Sequence, residues 1–353
     1  MLFSEFSEIC SRIEKLSSRL AMADALAEVF PSISDEELPV FVRFARGRLF
    51  PDWSAEKLMF GPSLLYEALA YVIGKKKEYV ISAVNSSGDT GSVVEELLSK
   101  REQTMFFSEE LELMDVWNRF MSMAKSQGRR SQQERIRTAQ YLLSNASPLE
   151  GRYLSRLILE EMRIGVGEGV VKDAVSKAFG IPPETVEHAH QALNDLGEVA
   201  LLSKTNPAEL SRVHITPFKP VKMMLAQPGS ITGMLEVHGV LAAENKYDGS
   251  RFQFHKTGNK AAIYSRRLEE MTESLPDVVA KLSSATTHDV IIDGEVIAIL
   301  NGKPMPFQTV LRRIRRKHDI EAAKEQIELR PCVFDILVCD GKTLIDMPFS
   351  EWQ

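Results

Sequence analysis

From Glu244 to Arg251 the chain reads Glu-Asn-Lys-Tyr-Asp-Gly-Ser-Arg, so a lysine, two acids, a glycine and an arginine fall within one short stretch. Lys246 is the group there that could attack an electrophile. The apolar run Val240-Leu241-Ala242-Ala243 precedes it, which predicts a lysine at the end of a buried strand. Burial disfavours an ammonium ion and leaves some neutral, nucleophilic amine. The chemistry expected is nucleotidyl transfer through a lysine adduct.

Two further segments set acids inside apolar runs: Ile291-Ile292-Asp293-Gly294-Glu295-Val296-Ile297 and Val333-Phe334-Asp335-Ile336-Leu337. A carboxylate in such a run is costly unless it meets a cation, a metal or a donor. Each alone is also what an ordinary structural strand carries. In the first half, Gly165, Gly167 and Gly169 stand between two helical patterns, where backbone N–H groups could approach a phosphate closely. A plain helix–helix turn is the better reading of this segment taken alone. No strand precedes them, so they are not a dinucleotide fingerprint.

These residues need elements to hold them. Residues 1 to about 200 read as helices: Leu154, Leu157, Ile158 and Met162 recur at helical spacing, as do Val170, Val171, Ala174, Val175 and Ala178. Pro182-Pro183 opens a further helix. Pro207, Pro217 and Pro220 then punctuate a polar stretch that reads as a linker. Beyond it the pattern turns to strands. Arg251–His255 and Ala261–Ser265 flank Thr257-Gly258-Asn259, a hairpin signal. Val290–Leu300 and Cys332–Val338 read as strands, and Pro306–Lys317 as a helix with a basic face. The division expected is 1–205 helical, 206–222 linker and lead-in, and 223–353 a domain of antiparallel strands and helices.

Composition bounds the rest. With 353 residues, 44% of them hydrophobic, the chain can build about two domains with substantial cores. No apolar run reaches the roughly 18 residues of a membrane span, and Met1-Leu2-Phe3-Ser4-Glu5 does not read as a signal peptide. Three cysteines, Cys10, Cys332 and Cys339, exclude a four-cysteine zinc site and fit a reducing, cytoplasmic interior. The net charge of −6 argues against nucleic acid by bulk charge, but Lys125–Arg137 holds five basic residues to one acid. Local patches govern phosphate contact. Ser126-Gln127-Gly128-Arg129-Arg130-Ser131 is such a patch, or else a solvated loop.

In order and spacing, Glu244–Arg251, then Tyr264-Ser265-Arg266-Arg267, then Asp293-Gly294-Glu295, then Val333–Leu337 resemble the successive nucleotidyltransferase motifs of ATP-dependent DNA ligases. Lys219–Ala226 resembles the start of the same domain, and Pro306-Phe307-Gln308 with Arg312-Arg313-Ile314-Arg315 fits as well. Tyr153–Lys172 resembles the DNA-binding domain that precedes the catalytic core in archaeal and eukaryotic replicative ligases. The resemblance implies an all-α DNA-binding domain followed by an α+β adenylation domain, which joins nicks in duplex DNA during replication, repair and recombination.

It also implies roles. Lys246 attacks the α-phosphate of ATP, Glu244 reads the adenine amine, and Phe334 stacks on the base. Arg251 and Arg266 contact ribose or phosphate, and Glu295 sits near the ribose and the metal, Mg²⁺. Asp248 helps at the 3′-hydroxyl, with Gly249 and Asp293 in support. Arg163, Gly165 and Gly167 contact DNA, and the basic patch read above adds Arg129 and Arg130 to the DNA contacts expected. Gln103-Thr104-Met105-Phe106-Phe107 resembles a short sliding-clamp motif, with Gln103, Phe106 and Phe107 as its anchors, though paired phenylalanines are as often core. NAD-dependent ligases share the lysine motif but add an NAD-binding segment and cysteine-bound zinc, which are not evident here. The family pattern continues to a Glu-Gly motif, a lysine-rich strand and an OB-fold domain, none of which follows in this sequence. The expectation is therefore a partial adenylation domain with impaired or no full ligation, or else a non-catalytic DNA- or clamp-binding module.

Overall fold

The computed structural model describes residues 1–101, 109–128, 130–222, 228–314, 327–345, 347–348 and 351. They form two compact units, Met1–Val213 and His214–Gln353. The division falls inside the Pro-punctuated stretch. Leu210 is buried in the first unit's core, and Ile215 and Val221 pack on Ile291 and Val338 of the second.

The first unit is helical: α1 (Phe3–Glu14), α2 (Arg19–Val29), α3 (Leu38–Ala45), α4 (Pro62–Val72), α5 (Lys77–Ser87), α6 (Thr90–Ser99), α7 (Leu113–Lys125), α8 (Ser131–Asn145), α9 (Pro148–Ile158), α10 (Glu168–Phe179), α11 (Pro183–Leu193), α12 (Leu196–Thr205) and α13 (Pro207–Leu210). Edge-to-face rings of Phe6, Phe30, Phe41 and Phe44 lie in its core. The α9 start is written in sequence. Ser147 Oγ accepts from the Glu150 N–H, the Glu150 carboxylate accepts from the Ser147 N–H, and Pro148 takes the first turn. Met162, expected on that helix, lies beyond it. Glu160 adopts a left-handed φ of 54°, so the helix stops at Ile158, and the chain then runs irregularly to α10, with Arg163 left-handed as well at 57°. Along that run Met162, Ile164 and Val166 point inward while Glu161, Arg163, Gly165 and Gly167 stay exposed.

The second unit is an antiparallel sheet with two of its three helices, the second and third in chain order, on one face. Its strands are β1 (Ser250–Thr257), β2 (Lys260–Ser265), β3 (Val290–Leu300), β4 (Lys303–Met305), β5 (Glu328–Cys339) and β6 (Lys342–Thr343). They lie in the order β2-β1-β3-β5-β6, with β4 on β3. The helices are α14 (Ile231–His238), α15 (Pro276–Ala285) and α16 (Phe307–Ile314). The β1–β2 hairpin turns at Gly258-Asn259, where Gly258 takes φ +55°. Phe252, Phe254, Val290, Ile292, Val296 and Ala298 pack on Val278 and Leu282 of α15 and Val310 of α16. Arg251, Gln253 and His255 of β1, opposite Glu295, Asp293 and Ile291 of β3, alternate with that apolar set and form the other face.

β5 breaks alternation twice. Asp293 pairs with Asp335 but Gly294 with Val333, and Ile291 pairs with Val338 but Ile292 with Ile336. Phe334 and Leu337 are therefore the extra residues of two bulges. Phe334 and Asp335, neighbours in sequence, consequently both lie on the Arg251 face: Asp335 opposite Asp293, and Phe334 beneath the Arg251 guanidinium at 5.1 Å.

Candidate active site

The polar sheet face gathers the sequence-predicted residues at one end. β1 begins there with Arg251 opposite Glu295 of β3. β2 ends there, because Phe252 pairs with Ser265, and Arg266 follows, exposed. The lysine motif leads into β1 along the same end. It is not the end of a buried strand. Residues 240–248 form no strand, and Val240 to Lys246 are all exposed. Among the described residues the apolar run pairs with no strand, so Lys246 reaches the site from an open segment, without strand burial.

Gly249 explains how that segment comes so close. A Cβ there would overlap the Val296 carbonyl oxygen and press on Glu295 Cγ at 2.9 Å, so only glycine lets the motif lie against β3. Its backbone N–H donates to the Glu295 carboxylate. Gly294 is needed for the same kind of reason, since the Phe252 ring and the Cys332 carbonyl occupy the place of a Cβ. Asp248 Oδ2 accepts, at 3.4 Å, from the Phe307 N–H that starts α16. In the last turn of α16, Arg313 is buried and donates to Asp277 of α15 at 3.1 Å.

Electrostatics tie the set together. Burial pushes the half-buried Glu295 carboxyl above its usual range. The Gly249 N–H and the charges of Lys246 and Arg251 pull it back, while Asp248 adds to the push. Burial also raises Asp335. The Ile336 N–H and Arg251 oppose this, and Asp293 and Glu244 reinforce it. Glu295 thus feels the charges of Lys246, Asp248 and Arg251, Asp335 those of Glu244, Arg251 and Asp293, and Arg251 acts on both. Asp293, 3% exposed, is held by Arg251 Nη2 at 2.7 Å. Three residues beyond the sequence-predicted set join the site. Asp335 follows Phe334 on the same face, Cys332 meets the Tyr247 side chain, and Gln253 donates to Asp293 at 3.1 Å. Gln253 was legible as the polar member of Arg251-Phe252-Gln253-Phe254-His255, a period-two pattern.

The residues predicted for DNA contact lie in the helical unit. Arg130 is exposed and precedes α8. Arg163, Gly165 and Gly167 share the exposed side of the irregular run before α10. Arg163 is partly occupied, donating to Glu161 at 2.6 Å and to the Gly88 carbonyl at 3.3 Å. Gly165 takes φ +77° and has Met22 Cε where a Cβ would go. Gly167 precedes the first N–H groups of α10, with no side chain capping them. Arg129, Gln103, Phe106 and Phe107 lie outside the described residues. Among the described residues no helix is long and apolar enough to cross a membrane.

Comparison with known proteins agrees with this arrangement unit by unit. The family model described as DNA ligase N terminus matches residues 2–176, and the one described as ATP dependent DNA ligase domain matches residues 223–353. The chain is 76% identical over 351 residues to a DNA ligase of Methanocorpusculum labreanum. It is 59% identical over 351 residues to one of Methanoculleus marisnigri, and 45% over 354 residues to one of Archaeoglobus fulgidus. In each case the match covers 99% of this chain and 64% of the relative. With both of its units matched in order, the chain belongs to the family of ATP-dependent DNA ligases.

Proposed function

We propose that this chain carries the nick-recognising and AMP-accepting parts of a DNA ligase that works inside the cell on duplex DNA. One observation supports this most: Lys246, Arg251, Glu295 and Phe334 come from three separate segments, yet they share one end of one sheet face. The Lys246 amine attacks the α-phosphorus of ATP. A P–N bond forms, the bond to pyrophosphate breaks, and the amine proton passes to solvent, to which this segment is open.

Phe334 offers a half-buried ring for the adenine, and Glu244 an acceptor for its amine. Arg251 and Arg266 supply fixed positive charge to ribose or phosphate, where in-line phosphoryl chemistry needs positioning more than acid–base groups. Glu295 offers the oxygen donor that Mg²⁺ prefers, and its burial-raised carboxyl is the kind a divalent cation would return to the ionised form. Mg²⁺ bound there would neutralise phosphate charge. Asp248 helps at the 3′-hydroxyl. In the helical unit, Arg130, Arg163 and the N–H groups after Gly167 contact the phosphates of nicked duplex. A sliding clamp is the further partner proposed, through Gln103, Phe106 and Phe107.

The test is intact mass after incubation with ATP and Mg²⁺. An AMP adduct should form on the unaltered chain and vanish in Lys246→Ala. An adduct that persists in that variant would move the nucleophile elsewhere. No adduct from the unaltered chain, with nick binding intact, would leave a non-catalytic DNA-binding module.

A further inference from the structure

Arg251, Gln253 and His255 occupy the same face of β1, and the hydrogen bonds behind them have a fixed direction. The direction is set where it cannot reverse. The backbone N–H of Phe218 donates to His255 Nδ1 at 2.8 Å. A backbone amide only donates through its nitrogen, so the ring proton must sit on Nε2. His255 is fully buried, and burial lowers its pKa to about 3, so the ring is neutral. Nε2–H then donates to Gln253 Oε1 at 2.9 Å, which also accepts from the Val221 N–H at 2.9 Å. Both acceptor sites of that oxygen are used.

The Gln253 amide must therefore turn its NH₂ group toward Asp293, donating to Oδ1 at 3.1 Å. Asp293 Oδ2 takes Arg251 Nη2 at 2.7 Å. With Gln253 donating to Oδ1, Asp293 meets the guanidinium through Oδ2 alone, not with both oxygens as an isolated Arg–carboxylate pair favours. The pair is thereby held one-handed. Only Nη2 of Arg251 meets Asp293, and the side chain keeps 29% exposure, so the outer donors of the fork stay open to a ligand.

We propose that Gln253 and His255 are positioning residues for the nucleotide: through Asp293 they hold the Arg251 guanidinium in a one-handed grip that leaves its remaining donors for ATP. The inference rests on the nucleotide role proposed above for Arg251. It also links residues 218–221 to that role, since Phe218 and Val221 supply the N–H groups at the far end of the chain of bonds.

A double-mutant cycle tests it, using calorimetric binding of ATP with Mg²⁺ to the full chain. Gln253→Met removes the NH₂ group and frees Asp293 to take Arg251 with both oxygens. It should weaken ATP binding about tenfold, the size of a lost hydrogen bond to a charged group. In an Arg251→Ala background the same change should cost nothing further. Losses that simply add, or an unchanged affinity in Gln253→Met alone, would overturn the proposal in favour of a purely structural role. Should Gln253→Met fail to fold, His255→Phe, which removes the Nε2–H that orients the Gln253 amide, enters the same cycle, and its loss of ATP affinity should likewise vanish in the Arg251→Ala background. Failure of the activity proposal looks different: nucleotide binds, the cycle stands, and no Lys246 adduct forms.

Discussion

In the helical unit, Arg156 is 4% exposed and meets Glu14 at 3.1 Å, Asp89 at 2.8 Å and the Met162 carbonyl at 3.2 Å. In the sheet unit, Asp293 is 3% exposed, and beyond its one arginine it meets a neutral amide backed by a neutral imidazole. The consequences for nearby acids have opposite sign. Burial alone would raise Asp89, but hydrogen bonds from Arg156 and Ser92 overcome it and hold the carboxyl well below its usual range. Glu295 and Asp335 end above theirs, with burial the largest cause in each. A scaffold neutralises its buried charge internally. A binding site leaves some of that neutralisation to the molecule it binds.

Acid should separate the two units most. His255 has a folded value of about 3 against an ordinary 6.5. Its contribution to stability is present above 6.5 and is lost as pH falls toward 3, at about 1.4 kcal/mol per pH unit, on the order of 4 kcal/mol in all. Glu295 and Asp335 run the other way. Their contribution is present below the usual carboxylate range and fades as pH rises through their raised values, so it softens the fall. Asp89, also depressed, begins to lose its contribution only as pH drops below about its ordinary 3.8. Hydrogen exchange should therefore show residues 250–257 losing protection at a higher pH than residues 148–158. The reverse order would break the contrast.

A smaller effect is expected from the scaffold itself. Arg156→Met strips Glu14 and Asp89 of a shared buried partner and should cost about 3 kcal/mol, read as a lower urea midpoint for the helical unit. Glu14 keeps Arg152 and the Tyr153 hydroxyl, which limits the loss. An unshifted midpoint would mean the network adds nothing to stability. Smallest is Arg163→Ala. Its pairs are half-exposed and contribute little to folding. On nicked duplex it should weaken binding about threefold and reduce the salt slope by about one. Unchanged binding and slope would remove the irregular run before α10 from the DNA surface.

Much of this was readable from residue order. The lysine motif, the hairpin at Gly258-Asn259 and the long β3 strand all follow from local patterns, because turn chemistry and period-two alternation act over a few residues. What escaped is what depends on distant partners. Lys246 reads as strand-buried because four apolar residues precede it, yet among the described residues no strand pairs with them and they stay exposed. Met162 reads as the next helical position after Ile158, but left-handed Glu160 ends the helix first. Gln253 and His255 read as the polar side of a strand, and their partners at Phe218 and Val221 lie more than thirty positions away. Phe334 and Asp335 cannot both be placed on one face by any alternating template.

The two bulges in β5 also govern which changes of length the strand can absorb. A strand keeps time in twos, like a frame with a two-letter codon, and each bulge shifts the frame by one. Two shifts restore it, so Leu329 and Cys339 at the outer ends both face the helix-covered core. Removing one residue between Val333 and Leu337 would throw one end of β5 out of frame and turn its apolar side chains to the wrong face. Removing two would restore both ends, but only by giving up the side-by-side placement of Phe334 and Asp335. Length variation in this segment is thus expected in pairs, and every shortened pair forfeits the aromatic platform or the acid beside it.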